Sequence, residues 1–162
     1  INNRDRFALR GELYFELSDD ASLRVTADYD DYDEICCAVG SANYGAANQV
    51  QSLMGGGIIP NNPFTEKVFF DFDPVTEGDN SGISFHYKKD RNGKTLESIT
   101  SVRNSYNKNV QDVDFDGAPV VNPSPLSKDL DAVTQEFRLY SNDNEKVNWL
   151  IGGYYYLSLI HI

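Results

Sequence analysis

The chain has 162 residues, 40% hydrophobic and 24% charged, a composition that describes one ordered domain rather than a disordered segment. Its 14 basic residues against 25 acidic ones leave a net charge of −11, which argues against a nucleic-acid surface because little is available to neutralise phosphates. No window approaches the ~18 uninterrupted apolar residues of a membrane-spanning helix, a test that barrel strands escape because they alternate.

Residues 5–17, "DRFALRGELYFEL", alternate cleanly. Phe7, Leu9, Leu13, Phe15 and Leu17 are odd; Arg6, Arg10, Glu12 and Glu16 are even. "SDDAS" at 18–22 reads as a turn from its Ser and Asp content. Residues 23–33 alternate again, with Leu23, Val25, Ala27 and Tyr29 odd and Arg24, Asp28 and Asp30 even. This is one hairpin with one apolar face.

Residues 36–80 carry Gly55-Gly56-Gly57, Pro60, Asn61-Asn62-Pro63 and Pro74, and read as a long loop with a short helix within "ANYGAANQVQSLM". Residues 82–88 put Ile83, Phe85 and Tyr87 at odd positions, and Asn92-Gly93 signals a tight turn. Residues 95–106 break the rule, because Leu96 and Val102 are even while Ile99 is odd; a bulge is one reading. A second long loop is expected over 107–131, with Pro119, Pro123 and Pro125. In "TQEFRLYSNDNEKVNWLIGGYYY", residues 134–156, the odd positions Phe137, Leu139, Val147, Trp149, Ile151 and Tyr155 are again apolar, around a turn at 142–145. The expectation is an all-β, antiparallel meander of about six strands in three hairpins, with short turns at one end and long loops at the other.

Such a sheet buries its apolar face against a second sheet or presents it to lipid. The strongly polar even face, the alternation of short turns with long loops, and Trp149 with Tyr154–Tyr156 as an interfacial girdle favour lipid. The 134–156 hairpin resembles one common in TonB-dependent outer-membrane receptors. "GKTLESITSVRNSY" resembles the strand that precedes it there, and "GELYFELSDDASLRVTADYDDYDE" an earlier hairpin. The resemblance covers most of residues 5–156. It implies part of a large transmembrane β-barrel of about 22 strands around a plug, in the outer membrane of a Gram-negative bacterium. It also implies uptake of a scarce ligand such as a ferric siderophore, cobalamin or an oligosaccharide, energised by the TonB–ExbB–ExbD complex acting on the plug. The chain departs from the family by omission: no plug, no TonB box and no aromatic barrel end. With no initiator Met and no signal peptide in residues 1–20, it is expected to be a fragment, partial barrel over 1–162. "LSLIHI" reads as strand continuation or as a foreign tail, and the weaker alternation after Leu157 leans to the tail.

No catalytic constellation stands out, so no enzyme is expected. Asp112, Asp114 and Asp116 before Gly117 have the spacing of a calcium loop, but Pro123 stands where the bidentate Glu belongs. That loop motivates the alternative of a soluble extracellular β-sandwich binding module. Adjacent Cys36 and Cys37 are a candidate vicinal disulfide, with two reduced thiols, or pairing with a residue outside the fragment, as the other readings. The acidic run Asp28, Asp30, Asp31, Asp33 and Glu34 reads as a hydrated rim, with attraction of cations or a basic ligand as the other reading. His86 and His161 read as isolated structural residues, and the ligand-contacting residues are open.

Overall fold

The computed structural model describes residues 3–35, 45–56, 64, 68, 70–113, 117–119, 121, 123, 125–141 and 147–162. Six strands form one antiparallel sheet in the order β1-β2-β3-β4-β5-β6. They are β1 (Asp5–Ser18), β2 (Ala21–Glu34), β3 (Val75–Arg91), β4 (Lys94–Val110), β5 (Leu126–Ser141) and β6 (Leu150–His161). A short helix, α1 (Ala46–Gln51), lies in the first long connection and runs into a wider turn, Ser52–Gly56, where Gly55 takes φ 103°. The meander read from the sequence is therefore present.

The strands are longer than their apolar patterns. β4 runs to Val110 and β5 starts at Leu126, so the second long connection spans 111–125 rather than 107–131. Likewise β3 starts at Val75, inside the loop expected over 36–80. These extensions are polar and pair through side chains: Lys108 Nζ donates to Glu77 at 2.8 Å and Asn109 Nδ2 to Thr76 at 3.4 Å. A hydropathy pattern cannot register pairing of that kind. Residues 157–161 of "LSLIHI" continue β6 in register, from Val133↔Leu157 to Asp129↔His161.

The irregularity of β4 has a local cause. Asn92 (φ 51°) and Gly93 (φ 72°) both occupy the left-handed region, which is the signature of a two-residue type I′ hairpin turn. Such a turn sets Arg91 opposite Lys94, so odd residues of β3 face even residues of β4. The side chains agree, since Ser105 Oγ donates to Asn80 and Asn109 to Thr76, odd to even in each case. Across β4 and β5 the parity reverts, with Thr100 bonded to Gln135 and Tyr140 to Glu97. β5 and β6 keep odd with odd, as in Phe137↔Gly153. The apolar face thus runs through odd residues of five strands and even residues of β4. Leu96 and Val102 belong to it, and no bulge in β4 is required.

Contacts divide the chain into two compact units: residues 1–6, 32–78 and 107–127, and residues 7–31, 79–106 and 128–162. In the first unit, Arg6 holds Glu34 through two nitrogens, one at 2.9 Å, and Asn107 Nδ2 donates to Tyr32 at 2.6 Å. In the second, the apolar face is uncovered: Phe7 is 57% exposed, Leu9 64%, Phe137 52% and Ile151 65%. Leu23, Val25 and Trp149 are half-buried. Among the described residues, the buried hydrophobic ones are only Ala21, Ala118 and Ala132. No second sheet covers either face among those residues.

Candidate functional site

The opposite face of the second unit carries a ladder of ordered polar side chains. Alternation places Asp28 and Asp30 of β2, Asn80 and His86 of β3, Glu97, Arg103 and Ser105 of β4, and Glu136, Arg138 and Tyr140 of β5 on that face. Arg103 reaches across the whole of β3 to Asp28, donating from Nη2 at 2.5 Å and Nη1 at 3.3 Å. It can do so because Gly82 lies beneath it; a Cβ there would meet the Arg103 guanidinium carbon at 3.0 Å. Asn80 links two neighbours, donating to Asp30 at 2.7 Å and accepting from Ser105 at 2.5 Å.

Nearer the short turns, Glu97 is a hub. It accepts from the Tyr140 hydroxyl at 3.1 Å and lies 3.8 Å from Arg138 Nη1 and 3.7 Å from His86 Nε2. Arg138 is steered by Glu136, whose carboxylate accepts from Nε at 2.7 Å. The His86–Glu97 contact is an ion pair only when the imidazole carries a second proton. Beside it, a cavity of about 530 Å³ is lined by Tyr14, Glu16, Ser18, Asp20, Lys88 and Asp90. Asp20 sits in the turn, where the Ser18 hydroxyl donates to it at 2.6 Å and Lys89 lies 4.0 Å away. These partners, Ser18 foremost, hold its carboxyl below the ordinary aspartate range. The arrangement is a ladder of charge-assisted hydrogen bonds that can orient polar ligands or water; no nucleophile–base pair is set up among the described residues.

The acidic run is not simply a hydrated rim. Asp28, Asp30 and Glu34 are engaged by Arg103, Asn80 and Arg6, whereas Asp31 and Asp33 are exposed. His86 is not isolated, because Glu97 faces it; His161 is exposed near the end of β6. Asp112 is buried, while Asp114 and Asp116 lie outside the described residues, as do Cys36 and Cys37. Among the described residues no cluster of three or more His, Cys, Asp or Glu is placed to hold a metal ion, and no helix is long and apolar enough to cross a membrane. Glu97 and Arg103 were hidden from the sequence pattern because β4 has inverted parity. The Asn92-Gly93 turn was the signal that locates them.

No protein-family model, curated protein or solved structure matches the chain.

Proposed function

We propose that the chain is a stretch of transmembrane barrel wall from an outer-membrane transporter of the TonB-dependent kind. The polar face would line the lumen and the apolar face would meet lipid. The observation that carries this reading is the uncovered apolar face on a sheet that, among the described residues, has almost no buried hydrophobic one. In water, contiguous apolar patches beyond a few hundred Å² are rare on monomers, and a bilayer removes that cost.

Strand length points the same way. The strands run 14, 14, 17, 17, 16 and 12 residues, against a usual strand of about 5–6 and the roughly 9–11 needed to cross a bilayer. The apolar face is also banded. On β4 it lies between Lys94 at the turn and Asn104, whose amide donates to Asp129 and Asp131 at 3.2 and 3.0 Å. Those ten residue-to-residue steps span ~33 Å along the strand, or ~25 Å along the normal at a barrel tilt of ~40°, which matches the apolar belt of outer-membrane barrels. Within the belt, Thr100, Gln135 and Ser98 satisfy one another at 2.6 and 3.1 Å, which lowers the cost of holding them in hydrocarbon.

A nitroxide label distinguishes the two faces. With the chain folded into phosphatidylcholine vesicles, labels at Phe7, Leu9 and Phe137 should be relaxed by oxygen, and labels at Glu12 and Glu136 by an aqueous nickel chelate. A chain that is monodisperse without detergent and melts cooperatively would overturn the membrane reading. The transport reading has its own test. Uptake of a ferric siderophore, cobalamin or an oligosaccharide by the protein carrying this chain should stop when the proton gradient is collapsed. Uptake indifferent to the gradient would remove TonB from the account.

A further inference from the structure

The short-turn end of the apolar face combines three features. The first is a notch. Leu96 of β4, Phe137 and Leu139 of β5, and Ile151 and Gly153 of β6 line an apolar groove of about 220 Å³. Its floor is Gly153, where an added Cβ would meet nothing within 4 Å. The second is an aromatic post. Trp149 extends the β5–β6 ladder by one step, with its carbonyl accepting from Ser141 N at 3.0 Å, so it stands two residues from Ile151 on the same side. Lys94 Nζ lies over its ring at 5.7 Å. The third is charge. "KKDRNGK", residues 88–94, has four basic residues and one acidic one, a local +3 (4 − 1) in a chain of net charge −11. Arg91 and Lys94 are exposed at its turn.

An apolar slot ending at an aromatic ring and a cationic turn is complementary to a lipid with acyl chains and an anionic head. We infer that this groove is a binding site for an anionic glycerophospholipid, with an acyl chain along Leu96, Phe137 and Gly153 and its phosphate at Lys94 and Arg91. The site rests on the membrane reading above. Charge selects the lipid, because the apolar slot accepts any acyl chain while the basic turn favours a net negative head. On β5 the far border of the face is instead acidic, with Asp129 and Asp131.

Trp149 is the single tryptophan, so its fluorescence reports on the site directly. The full chain is folded into phosphatidylcholine vesicles containing either phosphatidylglycerol or phosphatidylcholine brominated near the top of the acyl chains. The expected result is quenching of Trp149 by both, with an apparent affinity for the brominated phosphatidylglycerol roughly fivefold higher. Lys94→Gln and, separately, Arg91→Gln should each remove most of that preference, and Gly153→Leu should weaken quenching by brominated phosphatidylglycerol. Equal quenching by the two lipids would overturn the site and leave the membrane reading standing. Quenching by neither would remove both. Protection of Trp149 that grows with protein-to-lipid ratio would assign the groove to a second copy of the chain and overturn the lipid site.

Discussion

At the residue scale, three glycines separate by what lies above them. Gly152 sits against the backbone of β5, where a Cβ would meet the Phe137 carbonyl oxygen at 2.8 Å. Backbone cannot swing aside, so Gly152→Ala should cost about 1–3 kcal/mol. Gly153→Ala, which meets nothing, should stay within about 0.5 kcal/mol of the parent. Urea unfolding in vesicles compares the two. Gly82→Val should displace Arg103, and the Asp28–Arg103 coupling measured by a double-mutant cycle should fall from about 0.5–1 kcal/mol toward zero. Asp20 gives a pH dependence. Its carboxyl is depressed in the folded state, so its contribution is complete above the unfolded value near 4 and is lost as pH falls through the lower folded value. Ser18→Ala removes the largest cause, and unfolding midpoints followed from pH 6 down to 2 should show a shallower acid-side loss than in the parent. None of these close approaches is visible in a one-dimensional pattern, because each depends on which neighbouring strand passes above.

At the element scale, the hairpin β3–β4 decides where the polar face continues. A type I′ turn with both central residues at positive φ pairs odd with even, whereas an odd-sized offset would have kept one parity throughout. Cysteines placed singly along β4 should therefore alternate in the inverted sense. Positions 96 and 102 should resist aqueous thiol reagents in vesicles, and positions 97 and 103 should react. The opposite pattern would mean that the register in this hairpin is wrong. The Asn92-Gly93 signal is readable from the sequence, but the mixed parity of Leu96, Ile99 and Val102 gives residues 95–106 no face on their own; only the turn conformation places Glu97 and Arg103. The polar ends of β3, β4 and β5 escape a hydropathy pattern for a different reason. They are held by Lys108–Glu77 and similar pairs, which carry no alternating hydrophobicity.

At the scale of the whole molecule, stability is a question of solvent. A six-stranded sheet whose described residues bury only Ala21, Ala118 and Ala132 among the hydrophobic ones has little to offset the entropy of ordering in water, and its two edge strands, β1 and β6, are open to pairing. In a bilayer the same apolar face is matched to its surroundings. Phe137→Arg should then destabilise the vesicle-folded chain by about 2–4 kcal/mol, as charged groups near mid-bilayer do in barrels. Thr134→Arg, on the polar face, should change it little. Vesicle-folding titrations with urea compare the two. Equal effects would indicate that both faces meet the same medium.

Period-two alternation in residues 5–33, 82–88 and 134–156 was enough to establish an antiparallel meander with one apolar and one polar face, because alternation is a property of each strand alone. The tight turns were likewise local and legible in Asp19-Asp20 and Asn92-Gly93. What only the tertiary structure decided was which strand contributes which parity, how far the polar ends extend, and that Arg103 crosses over Gly82 to Asp28. Those depend on register between strands, and register is set by turn conformation and cross-strand contact rather than by composition.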